Sequence, residues 1–185
     1  MPGKVIKLAE GVLDRAVSEL LNKNNAAPII TLFERGQVDI TSFPEELQHS
    51  IFCALPPRSS SIIYYKSAGG DVNITDADGK GVLHRSLEEK LDFGEFNQYR
   101  THVIKGFIEE FEKTGGDMNH KDKEGKTPLC YFVEHEQREV IETALELGAC
   151  PYTALPIAMQ IGNDEALGAM LGYIRGVGTT DYPAE

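Results

Sequence analysis

The sequence predicts an all-α fold built as a helical repeat array, and three observations support this class. Residues 69–84 and 115–130 align with identical residues at 8 of 16 positions. Glycines recur at an interval of 33 residues, which a 13-residue insertion lengthens once in the middle of the chain. A stretch with helical apolar spacing ends at each of these glycines. The glycines are Gly36, Gly69, Gly115 and Gly148.

Each repeat is predicted to consist of a turn, a helix, a loop and a second helix. The second helix has apolar residues one, three and four positions apart, which indicates one buried face. The glycine after it supplies the left-handed backbone that ends a helix. The sequences Asp-Ala-Asp-Gly at 76–79 and Asp-Lys-Glu-Gly at 122–125 are typical of tight turns. Thr127 and Pro128 then favour the start of a short first helix, and successive units must stack to bury their apolar faces.

The composition is that of a globular protein with a large negative charge. Of the residues, 41% are hydrophobic and 25% charged, and 29 acidic against 18 basic side chains leave a net charge of -11. This balance disfavours nucleic acid as a partner. No apolar run approaches the roughly 18 residues of a transmembrane helix, and the N-terminus lacks the apolar core of a signal peptide. Three widely spaced cysteines are typical of a reducing compartment, so we expect a cytoplasmic protein that does not contact membranes.

Residues 122–133 and 140–149 resemble an ankyrin repeat almost position by position, from a Thr-Pro-Leu helix start to a closing Gly-Ala. Cys130 stands where the family usually has histidine, and His84 keeps that residue in the preceding copy. The resemblance implies an ankyrin-type solenoid of about five helix pairs, with short β-hairpin fingers in the central units. It also implies that His84 bonds the backbone of the neighbouring turn. The function that it implies is that of a non-catalytic protein–protein interaction domain. We expect the chain to be monomeric when no partner is bound.

The resemblance covers about residues 5–172, and we expect a single array over residues 1–175. A helix over residues 5–22 is expected to cap its beginning, and residues 158–173 its end. The outer units have 8 residues from glycine to proline where a central unit has 13, so we expect them to lack the finger. The predicted units are 5–35, 36–68, 69–114, 115–147 and 148–173, followed by a flexible tail over 176–185.

The residues show no catalytic or metal-binding pattern, and we predict neither an enzyme nor a cofactor. Cys130 and His135, the one local cysteine–histidine pair in this interpretation, are five positions apart on a helix, which points the side chains apart. The Asp-x-Asp-Gly sequence at 76–79 fails as a calcium loop because Arg85 occupies the place of the bidentate acid. The acidic runs lack surroundings that would separate the pKa values of two carboxylates, so they indicate solvated helix faces.

Residues 43–56 favour a competing interpretation. Their Phe-Pro start and their apolar positions 47, 51, 52 and 55 resemble the first half of an F-box, the module that docks on the Skp1 subunit of cullin ubiquitin ligases. The same spacing suits a core helix, and the chain has no tryptophan to close the module. An F-box-like adaptor that docks Skp1 through residues 43–56 is the alternative function. The degenerate outer units and this stretch also resemble effectors that intracellular bacteria such as Legionella deliver into host cells, which would place the protein in the host cytosol.

The partner is expected on the concave face and the finger tips, the surface that ankyrin domains use. Tyr131 is expected to be the main anchor because it is a large amphipathic ring in the middle of the array. The lysines gather at the second finger, which favours a mixed-charge partner surface over a simply basic one. The predicted contacts are Thr75, Ala77, Asp78, Lys80, Arg85, Glu88 and Glu89 in one unit, and Lys121, Lys123, Glu124, Lys126, Tyr131, Glu134 and His135 in the next.

The insertion near residues 90–102 departs from the family pattern. It carries Phe93, Phe96 and Tyr99 between the two helices of one unit, where ankyrin repeats have a tight loop. Two interpretations stay open: the aromatic residues pack on the array as a flap, or they contact a partner.

Overall fold

The fold is described from a computed structural model, over residues 12–22, 27–35, 39–55, 58–85, 97–135 and 138–177. These ranges are helical and contain no β-strand. The helices are α1 (Val12–Asn22), α2 (Ala27–Glu34), α3 (Glu45–Ala54), α4 (Ser59–Ser67), α5 (Val82–Arg85), α6 (Asn97–Lys113), α7 (Pro128–His135), α8 (Arg138–Glu146), α9 (Leu155–Ile161) and α10 (Asp164–Val177). None of them has the length and apolar character needed to cross a membrane.

The helices form two stacked rows. Helices α1, α3, α5, α7 and α9 contact one another in this order and make up the first row. Helices α2, α4, α6, α8 and α10 do the same in the second row. The rows are joined where α7 packs on α8 and α9 packs on α10. The all-α class is confirmed, whereas the unit boundaries and the ankyrin identity remain predictions.

Glycine ends three helices of the second row, as the sequence predicts. Gly69, Gly115 and Gly148 have φ angles of 88°, 87° and 92°. Each donates its N–H to the carbonyl three residues earlier, and the next residue donates to the carbonyl five residues before it. This double closure satisfies the last carbonyls of the helix. Gly36 lies outside the described residues.

The core lies between successive helices of the rows. In α7 the five residues from Leu129 to Val133 are at most 5% exposed, because this helix packs against α5, α8 and α9. Phe52 of α3 and Tyr65 of α4 stack with their ring centroids 4.0 Å apart. Burying one such side chain against the neighbouring helices stabilises the fold by about 1.5–3 kcal/mol.

The predicted β-hairpin fingers are loops without strands. Finger 1 (residues 71–81) and finger 2 (residues 117–127) are each closed by one backbone pair, in which Asp76 N–H donates to Lys80 O and Asp122 N–H to Lys126 O, both at 3.0 Å. Instead of pairing in a strand ladder, backbone N–H groups of each finger donate to the side chain of an aspartate. In the outer units 3-10 turns at Ile40–Ser42 and Pro151–Thr153 occupy the place of the finger.

Two predicted segments differ at the C-terminal end. The closing helix predicted over residues 158–173 is interrupted, because Gly162 adopts φ 70° and ends α9. Asn163 then caps α10 by accepting the N–H of Ala166 at 3.0 Å. Helix α10 continues to Val177 and so includes the first residues of the predicted tail. The remainder of that tail lies outside the described residues.

Part of the predicted insertion, residues 90–102, is helical. Helix α6 begins at Asn97, so Tyr99 belongs to a helix and not to a loop. Phe93 and Phe96 lie outside the described residues, and both interpretations of this segment stay predictions.

Candidate functional site

Each finger folds around one aspartate. In finger 1 the Oδ1 atom of Asp76 accepts the N–H groups of Asp78 at 2.8 Å and Lys80 at 2.9 Å. In finger 2 the Oδ1 atom of Asp122 accepts the corresponding N–H groups of Glu124 and Lys126, both at 2.9 Å. Such side-chain bonds fix a tight turn without strands. The two fingers are therefore copies of one local structure.

The second carboxylate oxygen is held by the first helix of the same unit. Arg85 donates from Nε to Oδ2 of Asp76 at 2.7 Å and also forms an ion pair with it. At the equivalent position Tyr131 donates its hydroxyl to Oδ2 of Asp122 at 2.7 Å. Burial alone would raise the pKa of each carboxyl group. Donors from Lys80 and Arg85 for Asp76, and from Tyr131 and Lys126 for Asp122, outweigh burial and lower both pKa values.

Tyr131 is buried, which corrects its predicted role as an exposed anchor. Its side chain is 5% exposed, and the edge of the His84 ring packs against it with centroids 5.5 Å apart. The ammonium groups of Lys80 and Lys126 lie 5.2 and 5.6 Å from the ring centroid. Burial raises the pKa of its hydroxyl to about 12. Tyr131 therefore supports the surface from below and joins the lysines of both fingers.

His84 bonds the neighbouring turn, as the resemblance implies. Gly81 donates its N–H to Nδ1 at 3.2 Å, so the ring proton is on Nε2, which faces the carbonyl of Lys126 at 3.3 Å. Burial lowers the pKa of the imidazole, in keeping with a neutral ring. The bond runs from one unit to the finger of the next and sets the spacing of the fingers.

Two further histidines bond carbonyls of finger 1 and were missed in the sequence. His49 of α3 lies in the preceding unit and bonds the carbonyl of Lys80 through Nε2 at 3.0 Å, whereas His120 lies in finger 2 and bonds the carbonyl of Gly79 at 2.9 Å. Burial lowers the pKa of His49 as well. For His49 the available signal was that Lys80 and Lys126 are equivalent in the two copies, so each finger needs a donor from the preceding unit.

Asparagines connect the units at the base of the fingers. Asn73 donates to Gly115 O at 2.9 Å and accepts the N–H of Asp117 at 2.8 Å. Asn119 repeats this arrangement with Gly148 O at 2.9 Å and the N–H of Cys150 at 2.7 Å. The recurrence of asparagine in both copies was the signal for this contact.

Apart from the buried Tyr131, the predicted contact residues fall into three groups. Those exposed at the fingers and at the end of α7 are Ala77, Asp78, Lys121, Lys123, Glu124, Glu134 and His135, and those partly buried are Thr75, Lys80, Arg85 and Lys126. Glu88 and Glu89 lie outside the described residues. The fingers and the first-row helices thus form one continuous surface, which we call the finger edge.

Ion pairs within the finger edge neutralise part of its charge. Arg85 also approaches Asp78 at 3.3 Å, and Lys126 approaches Glu124 at 3.4 Å and Glu134 at 3.9 Å. Lys121 and Lys123, in contrast, form no ion pair with the residues that the structure describes.

A cysteine–histidine pair occurs where the sequence interpretation had none. His49 and Cys53 are four residues apart on α3, with Sγ 3.4 Å from Nε2. With the Nε2 proton facing Lys80 O, Nδ1 is the nitrogen that could accept the thiol proton, and it lies 4.0 Å from Sγ, beyond the roughly 2.6–3.2 Å of an activated nucleophile and its base. Cys130 is buried beside the Thr127 hydroxyl at 3.6 Å. Across the described ranges no three histidine, cysteine or acidic side chains converge in the manner of metal ligands.

The segment that resembles an F-box is part of the core. Ile51, Phe52 and Leu55 are at most 6% exposed, and Phe43 is 4% exposed. These residues are thus engaged within the array, and a Skp1 subunit would have to displace them. Docking on Skp1 stays a prediction that this burial does not favour.

A groove between α8 and α10 opens on the described surface and has a volume of about 220 Å³. It is lined by Arg138 and Glu142 on one side and by Gly168, Gly172 and Tyr173 on the other. Small-molecule sites usually have volumes of about 300–1,000 Å³. The groove is thus smaller than such sites, and the finger edge remains the candidate site.

Comparison with protein-family models and with curated proteins finds no match to this chain.

Proposed function

We propose that the chain is an ankyrin-type protein-interaction domain without catalytic activity, which binds a partner protein through the finger edge. The observation that carries this proposal is a division of labour between equivalent positions of the two fingers. Positions with the same residue in both fingers serve the fold, and the most exposed positions with different residues do not.

The shared residues are occupied by bonds inside the array. Asp76 and Asp122 close the fingers, and Asn73 and Asn119 join the units. Gly79 and its counterpart in finger 2 have positive φ angles of 75° and 79°, which a residue with a side chain rarely adopts. The fold accounts for each of these identities.

The most exposed of the positions that differ lie at the finger tips. Ala77 of finger 1 corresponds to Lys123 of finger 2, and Thr75 corresponds to Lys121. Ala77 and both lysines are exposed. Since the scaffold does not require these side chains, they are available for contact with a partner. A rigid frame with variable tips also suits recognition, because little conformational entropy is lost when a partner binds.

The two-row architecture supports the ankyrin-type scaffold. Paired helices stack in register, left-handed glycines end the second-row helices, and a histidine of one unit bonds the finger of the next. In such arrays each unit contacts only its neighbours, which leaves one extended face for binding.

Quantitative affinity capture with an edge variant tests the proposal. The edge variant combines Ala77→Trp and Glu124→Trp, and the control combines Ile63→Trp and Glu146→Trp in the second row, with the same change in charge. All four positions are exposed, so both variants should keep the wild-type melting temperature within a few degrees. We expect the edge variant to lose the proteins that the wild type and the control both retain. Equal retention by all three proteins would contradict the finger edge as the binding surface.

A further inference from the structure

We propose that the finger edge receives an extended acidic segment of the partner, with carboxylates at alternate positions, on Lys121 and Lys123 of finger 2. This inference rests on the proposed function and adds the chemistry of the partner. It starts from the burial of Asp122, which separates these two lysines in the sequence.

The acid of finger 2 is turned inward and its lysines outward. Asp122 is 6% exposed, and its oxygens are occupied by two backbone amides and the Tyr131 hydroxyl. Lys121 and Lys123 are exposed on either side of it. The finger therefore presents two positive charges, whereas the negative charge between them is buried and hydrogen-bonded inside the fold.

The other cations of the edge are already engaged. Lys126 pairs with Glu124 and Glu134, and its ammonium also lies near the Tyr131 ring, as does that of Lys80. Arg85 is bound to Asp76. Among the described residues of the edge, Lys121 and Lys123 are the cations with neither an ion pair nor a ring contact, so an incoming carboxylate would not have to displace an existing partner.

The spacing of the two lysines selects an extended partner. Alternate residues of an extended chain lie on one face, about 7 Å apart, and Lys121 and Lys123 flank the inward-facing Asp122 at the start of the turn. A partner in the same conformation would present carboxylates i and i+2 at a matching interval. Finger 1 has Thr75 and Ala77 at the equivalent places, so the preference belongs to finger 2 alone.

The overall charge makes this site distinct. The chain carries a net charge of -11, so an acidic segment is repelled by most of the surface. Charges more than about 8 Å apart are largely screened at physiological salt, and the two lysines then dominate locally.

Nuclear magnetic resonance titration of the full chain with a twelve-residue peptide of alternating Glu and Ser tests the proposal. We expect saturable shifts of amide resonances confined to residues 119–126 and weaker binding at 500 mM than at 50 mM NaCl. Lys121→Glu with Lys123→Glu should reduce the affinity at least fivefold, since two attractive contacts become repulsive. The control Lys66→Glu with Lys113→Glu changes the net charge equally in the second row and should change the affinity less than twofold.

Several results would overturn the proposal. They are the absence of saturable shifts, shifts centred outside finger 2, an equal loss of affinity in both variants, or equal binding of an alternating Lys and Ser peptide. Tighter binding of a single-stranded oligonucleotide would identify a nucleic-acid site instead. If the Lys121 and Lys123 variant still captures the partner that the Ala77 and Glu124 variant loses, the acidic segment is wrong and the interaction function stands. If neither of these two variants differs from the wild type and the controls in capture, the proposed function itself fails.

Discussion

Tyr131 donates a 2.7 Å hydrogen bond to the buried carboxylate of Asp122. The preceding unit uses Arg85 for the same purpose, nine residues after its own aspartate. A cation in finger 1 is thus replaced by a neutral donor in finger 2, where Lys80 and Lys126 stand nearby. The two units keep one geometry with different charges, and the tip of finger 2 is the more basic because Lys121 and Lys123 stand where finger 1 has Thr75 and Ala77.

Tyr131→Phe should destabilise the fold by about 1–3 kcal/mol, because it leaves a buried carboxylate oxygen without its donor. Urea unfolding at pH 7 measures this change. Tyr173→Phe in α10 is the control, since the half-buried Tyr173 has no hydrogen bond with described residues, and it should stay within about 0.5 kcal/mol of the wild type. Equal stability of the two variants would mean that the Asp122 bond contributes nothing.

Asn119→Ala should loosen the last unit and leave the central units unchanged. The substitution removes both bonds to Gly148 O and Cys150 N–H, each worth about 0.5–1.5 kcal/mol. In a repeat array such a loss acts mainly on the adjacent interface. Hydrogen exchange should accelerate at residues 148–177 and remain unchanged at residues 58–85. Gln160→Ala, at an exposed position of α9, serves as the control, and uniform acceleration along the chain would contradict a local role.

Much of the fold follows from local sequence patterns. The glycines that end helices were predictable, because apolar periodicity stops at them and only glycine adopts the required backbone easily. The backbone bond of His84 followed from the resemblance. The asparagine contacts did not follow, because a sequence does not show which carbonyl an exposed amide faces.

Register and burial were the harder features. Proline spacing aligned Pro44 with Pro128, but Pro44 precedes α3 with an extended backbone, whereas Pro128 is the first residue of α7. His49 therefore reaches Lys80 from a position five residues after its proline, which concealed its role. The burial of Tyr131 depends on lysines from two fingers that are 46 residues apart in the sequence, and only the stacked structure brings them together.

Gly116→Ala should destabilise the chain by about 1–3 kcal/mol through overpacking. An added Cβ would lie 2.3 Å from the Phe111 ring, which is buried and cannot easily move. At the equivalent place one unit further along the chain the corresponding pair is Ala144 and Ala149, whose backbone bond is the same. Phe111→Ala should therefore abolish the cost of Gly116→Ala, although it destabilises the chain itself. A double-mutant cycle measured by urea unfolding checks this, and additive effects would contradict the steric explanation.

Acidification from pH 7.5 to 5 should lower stability through His84 and His49. Burial lowers both imidazole pKa values below the ordinary 6.5, so the unfolded chain binds protons more readily than the native chain. The stability contributed by neutral rings is complete above about pH 6.5 and is lost as the pH falls through the folded pKa values. Asp76 and Asp122 act in the same direction but below their ordinary 3.8, outside this window. His84→Gln keeps a donor for Lys126 O without titrating, so the slope of Tm against pH should fall, and His49 should supply part of the remainder. A slope that His84→Gln does not alter would show that the buried ring is not the proton-sensitive group.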